Sequence, residues 1–508
     1  MQRLVLSFFM GILAASTMPH AGWVNLTWNL TPYSFPVFAL SLYVLYQQTW
    51  TTESKSLRTI FARTYIWAFG YFLFGLNWVG NALLIDGNNF LWAWPFAVLG
   101  LPFLLSFFWA VPVTLARRFN IAPTPLAFAA TLALAELARG YLFTGFPWNL
   151  PGYFWSDTLM VFQVLSLIGP YGLTFLTLWW GVSACTHIKT PRRLVLPTAV
   201  FAAVLAFGLV RLNTPAPNSN APHFNIVMVQ PNIPQSEKWD GQKAPEHFET
   251  HLRLGINAAK ESTHPTAIIW PEAALPPSYV DDDAVRGAIN RMLSFYPPGS
   301  ALLTGAVYTA PPEQEKFYNG IVAYTEHKTQ KAYAKFHLVP FGEYIPFQRF
   351  IPVGPVAEFD NLTPGPGPET VTVGTLPPFR PLVCYEVIFP AAIYKNRGNA
   401  QWILNVTNDA WYGHSPGPYQ HLAQARARTI ESGLPLVRVA GTGISTTIDP
   451  YGRYVASLPY NTQDIKLVTI PLSSSTTPLL YAWIGDIGCG IILIILCFIR
   501  RNTHQPTA

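Results

Sequence analysis

The sequence predicts a two-part chain: a polytopic α-helical membrane domain of about eight spans, and an α/β domain inserted between the seventh span and the eighth. Three observations carry this. Half of the 508 residues are hydrophobic and only 11% are charged, a composition suited to lipid rather than to a soluble enzyme. Uncharged or nearly uncharged runs recur at about residues 4–20, 33–49, 64–85, 89–115, 121–138, 158–185, 194–210 and 479–499. Between the last two lie about 260 residues in which short apolar segments alternate with amphipathic ones.

Most of the runs are long enough to cross roughly 30 Å of hydrocarbon as helices. The first two are short for a span, and the first also has the look of a signal peptide, with Arg3 ahead of an apolar stretch and Ala14, Ala15 and Ser16 behind it. Charge orients the set. Arg3, Lys55, Arg58, Arg63, Arg117, Arg118, Lys189, Arg192, Arg193, Arg500 and Arg501 fall in alternate connections and at both ends, whereas the intervening short connections hold only Arg139. By the positive-inside rule both termini are cytoplasmic and the long segment lies outside. The expected boundaries are seven helices over 1–211, a linker at 212–222 that includes PAPNSNAP, the α/β domain over 223–474, the eighth helix over 479–499 and a tail at 500–508.

The net charge of +6 belongs to the membrane part, because the outer segment carries 20 basic residues against 21 acidic ones. A nucleic-acid partner therefore has no electrostatic footing. Cys185, Cys489 and Cys497 lie in or beside spans, which leaves Cys384 as the only cysteine of the outer segment and excludes a disulfide within it. CxxC, HExxH and P-loop patterns are absent from the sequence, so a cofactor-free and metal-free enzyme is expected.

Strands are predicted at 225–230, 266–270, 301–308, 320–325, 332–336, 381–385, 402–407 and 437–448, each short, apolar and rich in β-branched or aromatic residues. Helical spacing appears at Phe248, Leu252 and Ile256, around 283–295 and at 420–431. An α/β sandwich with a mixed sheet core follows.

Three residues of this domain form a chemical kit. Glu272 follows Trp270 and Pro271 at a strand end, Lys335 lies in KAYAKFHLVPFGEYIP and Cys384 in FRPLVCYEVIFP. Each alone has a plain structural reading: a solvated strand terminus, a strand lysine facing water, a small buried hydrophobe. Together they fit nucleophilic catalysis, since a thiol attacks only as thiolate and needs a base or a cation beside it. Glu272 is suited to take the proton, and Lys335 to stabilise the thiolate and the oxyanion. The backbone N–H of Tyr385 is a candidate second oxyanion donor. His337 stands two residues beyond Lys335, where strand alternation places both on one face.

The order glutamate, lysine, cysteine at these intervals resembles the nitrilase superfamily, and more closely the apolipoprotein N-acyltransferase family of bacterial inner membranes. The likeness runs through FGYFLFGLNWVGNAL at 69–83, ELARGYLFTGFPWNLPGY at 136–153, VQPNIPQSEKW at 229–239, WPEAALP at 270–276, YNGIVAY at 318–324, KFHLVPFGEYIP at 335–346, CYEVIFP at 384–390, NVTNDAWYGHSPGPYQH at 405–421 and VRVAGTGIS at 437–445. The resemblance implies a nitrilase-like αββα sandwich. It implies Glu272 as general base, Lys335 as stabiliser and Cys384 as the nucleophile that becomes a thioester, with Glu343, Tyr385, Glu386 and Trp239 as supporting or substrate-binding residues. The implied reaction is ping-pong: an acyl chain passes from a phospholipid, phosphatidylethanolamine being the expected donor, to Cys384, and then to the α-amine of the diacylglyceryl-cysteine of an apolipoprotein. Partners would be the phospholipid, the apolipoprotein and the bilayer, with the catalytic domain periplasmic.

Two lipid substrates call for a site that faces membrane. Phe341, Tyr344, Ile345, Phe347, Phe350 and Ile351, within the Pro-rich 340–359 stretch, read either as a mobile arm dipping into lipid or as core packing. Trp411 and Tyr412 read as a second lipid-facing contact, and Glu136 with Arg139 as an i, i+3 ion pair at a span's outer end. The competing reading is a membrane-anchored carbon–nitrogen hydrolase in which water resolves the thioester. A third, a non-catalytic binding module, is disfavoured by the intact kit.

Overall fold

The computed structural model describes residues 1–19, 31–51, 56–85, 90–213, 223–310, 313–326, 328–350, 361–394, 398–472 and 479–499. The chain forms two compact units, one of residues 1–80, 94–213 and 480–508, the other of residues 81–93 and 214–479.

The first unit is helical. Helices occupy Gln2–Ala15, Thr31–Thr49, Leu57–Leu76, Trp94–Arg118, Pro125–Tyr141, Leu165–Thr186, Val195–Asn213 and Leu480–Phe498, so each of the eight hydrophobic runs contains one. Among the described residues four of these, within Leu91–Arg118, Leu165–Thr186, Pro191–Asn213 and Leu480–Phe498, are long and apolar enough to cross a membrane. Helices Gln2–Ala15 and Leu57–Leu76 approach backbone to backbone: a Cβ on Gly11 would meet Trp67 O at 2.0 Å, and one on Gly70 would meet Phe8 O at 2.3 Å, the close contact that small residues permit between apolar helices. Glu136 and Arg139 form a fully buried ion pair, with Trp109 donating to the carboxylate and Arg139 to Phe146 O. Each charge is thereby neutralised away from water. The 340–359 arm falls partly outside the described residues, as does the 212–222 linker; the 500–508 tail falls wholly outside them.

The second unit is a sandwich of two sheets. The first has the order β11-β1-β2-β3-β4-β5, from β1 His223–Gln230, β2 Thr266–Leu275, β3 Ala301–Ala310, β4 Glu313–Tyr324, β5 Thr329–Ala334 and β11 Asp464–Pro471. The second has the order β10-β9-β8-β7-β6, from β6 Phe379–Val383, β7 Trp402–Thr407, β8 Leu436–Ala440, β9 Ser445–Ile448 and β10 Tyr454–Leu458. Pairs β1–β2, β2–β3, β6–β7 and β7–β8 are parallel and the outer pairs antiparallel, a mixed arrangement as expected.

Strand alternation explains the apolar runs. Ile226, Met228 and Ile269 point between the sheets against Val383, Leu404 and Val437, while Val227, Val229 and Ile268 point the other way onto helices Ala244–Ala259 and Asp283–Leu293. Both faces are buried, so both sets of positions are hydrophobic. Helix Gly417–Ser432 packs on the outer side of the second sheet and is buried almost throughout.

The strands differ from expectation in three places. The run at 437–448 is a hairpin, β8 and β9, broken at Gly441 and Gly443. Strands β10 and β11 are additional, and both lie at sheet edges, where solvent-facing residues interrupt the apolar pattern.

The sandwich brings strand ends together, and Gly305 on β3 permits one of those approaches. A Cβ there would meet Glu272 Cα and Pro271 O at 2.4 Å, backbone that cannot swing away. Gly305→Ala should destabilise the unit by roughly 1–3 kcal/mol or more and displace Glu272. Differential scanning calorimetry in detergent checks it, and a wild-type melting temperature would contradict the packing described.

Candidate active site

Glu272 sits where β2 leaves regular pairing. The β2–β3 register shifts between Trp270 and Leu275, and Ala273 adopts φ 49°, so the chain bulges and re-aims the carboxylate. Lys335 follows the last residue of β5 rather than lying within the strand: its N–H donates to Asn319 O at 2.8 Å and its carbonyl accepts from Gly365 N at 2.8 Å. Cys384 likewise lies one residue past β6. It opens a short 3-10 helix, Cys384–Ile388, with φ 49°, a left-handed conformation that costs a non-glycine residue roughly 1–2 kcal/mol.

The three side chains converge. Lys335 Nζ lies 2.8 Å from Glu343 Oε1 and 3.7 Å from Glu272 Oε1. Asn319 Nδ2 bridges the same two oxygens, at 2.8 Å to Glu272 and 2.9 Å to Glu343. Val339 N–H holds the other Glu343 oxygen at 2.8 Å. Burial alone would strip the Lys335 proton, but Glu343, Glu272 and Cys384 together outweigh it and hold the amine firmly as ammonium. Cys384 is 7% exposed; burial, reinforced by Glu272, pushes its thiol up to about 12 against the opposing pull of Lys335 and a hydrogen bond with Thr407. At rest Cys384 is therefore a neutral thiol beside a carboxylate and a cation.

Glu386 anchors the turns that carry Lys335 and Cys384. Its Oε1 accepts from Tyr333 hydroxyl at 2.9 Å, Phe336 N at 2.8 Å and His337 N at 3.2 Å, and its Oε2 from Val383 N at 2.8 Å. Burial raises it to about 7 despite these donors. One carboxylate thus joins the segment after Lys335 to the strand end before Cys384. Tyr385 packs on Phe389 and His337, with ring centroids 5.1 and 5.7 Å away, and His337 stacks on Phe389 at 3.7 Å. His337 is packed in this aromatic group; because β5 ends at Ala334, the strand alternation expected to put it on the face of Lys335 does not apply. Trp239 packs beside Val307, Leu338 and Leu362 and lines a cavity that reaches Glu272. Phe341 and Phe347 are exposed, at 52% and 75%, while Ile345 is buried. Trp411 and Tyr412 are partly buried, and Tyr412 O accepts from Asn81 Nδ2 at 2.8 Å.

Sequence reasoning missed five contributors, the bridging Asn319 among them. Lys238 Nζ donates to Glu272 O at 2.8 Å, and burial lowers it to about 8 against the pull of Glu272 and Cys384. His421 Nε2 donates to Cys384 O at 3.1 Å. The ring is held from behind by Arg438, which Asp409 in turn fixes by an ion pair at 2.5 Å. Burial and Arg438 push His421 down, so it is neutral; with its proton on Nε2, Nδ1 accepts from Arg438 Nη2 at 3.2 Å. This tether holds the carbonyl of the strained nucleophile.

Residues 11–183 match the model of the apolipoprotein N-acyltransferase N-terminal domain, and residues 227–477 that of carbon-nitrogen hydrolases. An apolipoprotein N-acyltransferase of Rhodopseudomonas palustris is 33% identical over 537 residues, covering 99% of this chain and 96% of its own. That of Bradyrhizobium diazoefficiens is 38% identical over 469 residues, covering 87% and 86%.

Because Glu272 raises the thiol electrostatically, Glu272→Gln should shift the pH profile of Cys384 alkylation by iodoacetamide toward lower pH. A profile unchanged from wild type would contradict the coupling.

Proposed function

The chain belongs to the apolipoprotein N-acyltransferase family, and we propose that it carries out its acyl transfer through a thioester on Cys384. The activity itself, N-acylation of apolipoproteins, follows from relatives that match nearly the whole chain at 33% and 38% identity. The observation that carries the covalent reading is the convergence of Cys384, Glu272 and Lys335, with the ammonium locked in place by Glu343.

In the first half-reaction Glu272 takes the thiol proton as Sγ attacks the ester carbonyl of a membrane phospholipid. The oxyanion forms beside the Lys335 ammonium, with the Tyr385 N–H as second donor. Collapse breaks the bond to the glycerol oxygen, which takes the proton from Glu272 and leaves as lysophospholipid. In the second half, the α-amine of the diacylglyceryl-cysteine attacks the thioester. Glu272 accepts the amine proton and returns it to the departing sulfur. Proton transfer concerted with attack suits a thiol that is neutral at rest.

Glu343 and Glu386 support this chemistry by fixing Lys335 and the nucleophile turn, Tyr385 by its backbone position, and Trp239 at the substrate cleft. All eight hydrophobic helices span the inner membrane in this reading, both termini cytoplasmic and the sandwich periplasmic, as the placement of arginine and lysine supports. Domain limits are residues 1–211, 223–474 and 479–499, joined by the 212–222 linker and followed by the 500–508 tail. Exposed Phe341 and Phe347 support the 340–359 stretch as the membrane-dipping arm.

Initial rates measured against phospholipid and diacylated lipopeptide should give parallel double-reciprocal lines, and Cys384→Ser should lose at least about 1000-fold in kcat with its melting temperature kept. Intersecting lines, or a Cys384→Ser variant with substantial turnover, would contradict the thioester route.

A further inference from the structure

The strand register places a hydroxyl beside the nucleophile. Strands β6 and β7 run parallel with Val383 opposite Val406, so the next residues along, Cys384 and Thr407, stand side by side where the two strands end. Thr407 is fully buried and hydrogen-bonded to the Cys384 thiol. Its hydroxyl also donates to Asp409 Oδ1 at 3.1 Å. The acyl-transfer steps above use neither Thr407 nor Asp409.

The direction of each hydrogen follows from charge. Burial would lift the Asp409 carboxyl, but its opposing partners, Arg438 foremost, outweigh it and hold it down at about 2. Asp409 is therefore a carboxylate, which only accepts, while Thr407 has a single hydrogen to give. As long as Asp409 takes that hydrogen, the Thr407 oxygen is an acceptor toward sulfur, and the S–H of the neutral thiol is the donor it meets. At rest the thiol proton thus points to Thr407 rather than to Glu272.

Loss of that proton inverts the relation. A thiolate only accepts, and the Thr407 hydroxyl reaches it by rotation about its own C–O bond. Asp409 can release this donor because Arg438 Nη2 still holds its Oδ2 at 2.5 Å, and Arg438 is itself fixed through Nη1 on Asn405 Oδ1 at 2.5 Å. Burial opposes the thiolate most, Glu272 and Asp409 add to that, and Lys335 and Thr407 favour it. Of these last two, Thr407 acts without a charge.

We propose that Thr407 is a further catalytic residue: a two-way hydroxyl that accepts from the Cys384 thiol at rest and donates to the thiolate as it forms, with Asp409 taking the hydroxyl hydrogen between turnovers. The inference rests on the reading of Cys384 as nucleophile given above. No covalent bond of Thr407 changes. The S–H turns to Glu272, which takes the proton, and the Thr407 O–H turns from Asp409 to Sγ.

The test is alkylation of Cys384 by iodoacetamide at a fixed, mildly alkaline pH in the full-length enzyme, in detergent and without lipid substrate. Peptide mass spectrometry separates Cys384 from Cys185, Cys489 and Cys497. Thr407→Val keeps the side chain's shape and deletes the hydroxyl. Its rate should fall about threefold or more, because the thiolate loses a donor, an effect partly offset by the greater nucleophilicity of a more basic sulfur. Thr407→Ser restores the hydroxyl and should react as wild type does. A packing defect moves the rate the other way, since loosening exposes a buried thiol. Should Thr407→Val lose its melting transition, Thr407→Ala decides, with the same fall expected. An unchanged or faster rate in a folded hydroxyl-free variant, a serine variant as slow as valine, or failure of both the valine and alanine variants to fold overturns the role. Alkylation reads the thiolate alone; absence of acyl mass on wild-type Cys384 after incubation with phospholipid would instead overturn the covalent reading beneath it.

Discussion

A buried ammonium is the constraint on which the site depends. Lys335 is 1% exposed, and an amine so far from water keeps its proton only if opposite charge is built around it. Glu343 at 2.8 Å and Glu272 at 3.7 Å supply that charge, and Asn319 keeps the two carboxylates from repelling by donating to both. The division of labour follows from distance. Glu343 is bound to lysine, asparagine and the Val339 N–H, and so is committed to structure. Glu272 is held less tightly by Lys335. Burial and the same excess of negative charge keep Cys384 a thiol at rest.

The rest of the fold serves to hold these groups at the ends of strands. Glu272 is thrown out by a bulge that Gly305 makes room for, Lys335 follows the end of β5, and Cys384 turns into a left-handed conformation as β6 ends. Glu386 ties the latter two turns together, and the neutral His421 holds the Cys384 carbonyl. Strain at the nucleophile is thus sustained by a buried network on helix Gly417–Ser432 and strands β7 and β8.

Sequence patterns revealed the central strands, because burial on both faces makes them continuous hydrophobic runs, and they singled out Glu272, Lys335 and Cys384, which the fold brings together. Edge strands β10 and β11 were not legible: half their side chains face water, and polar residues break the run. Nor was the turn at Cys384, since positive φ usually announces itself through glycine and here a cysteine adopts it. Asp409, His421 and Arg438 lie on three separate elements, and only folding joins them. Asn319 and Lys238 lay inside recognised motifs, but nothing in their spacing distinguished them from ordinary polar residues. The eight hydrophobic runs all became helices, yet among the described residues only four of these helices are both long and apolar enough to mark themselves as spans; glycine contacts and the Glu136–Arg139 pair belong to the packing of one helix on another rather than to hydropathy.

The covalent role of Cys384 is tested most directly by mass spectrometry of enzyme incubated with a defined phospholipid and no acceptor. The peptide containing Cys384 should gain the mass of one acyl chain, lose it to neutral hydroxylamine, and transfer it to a diacylated lipopeptide added afterwards. An enzyme that turns over normally yet never carries acyl mass on that peptide would contradict the account.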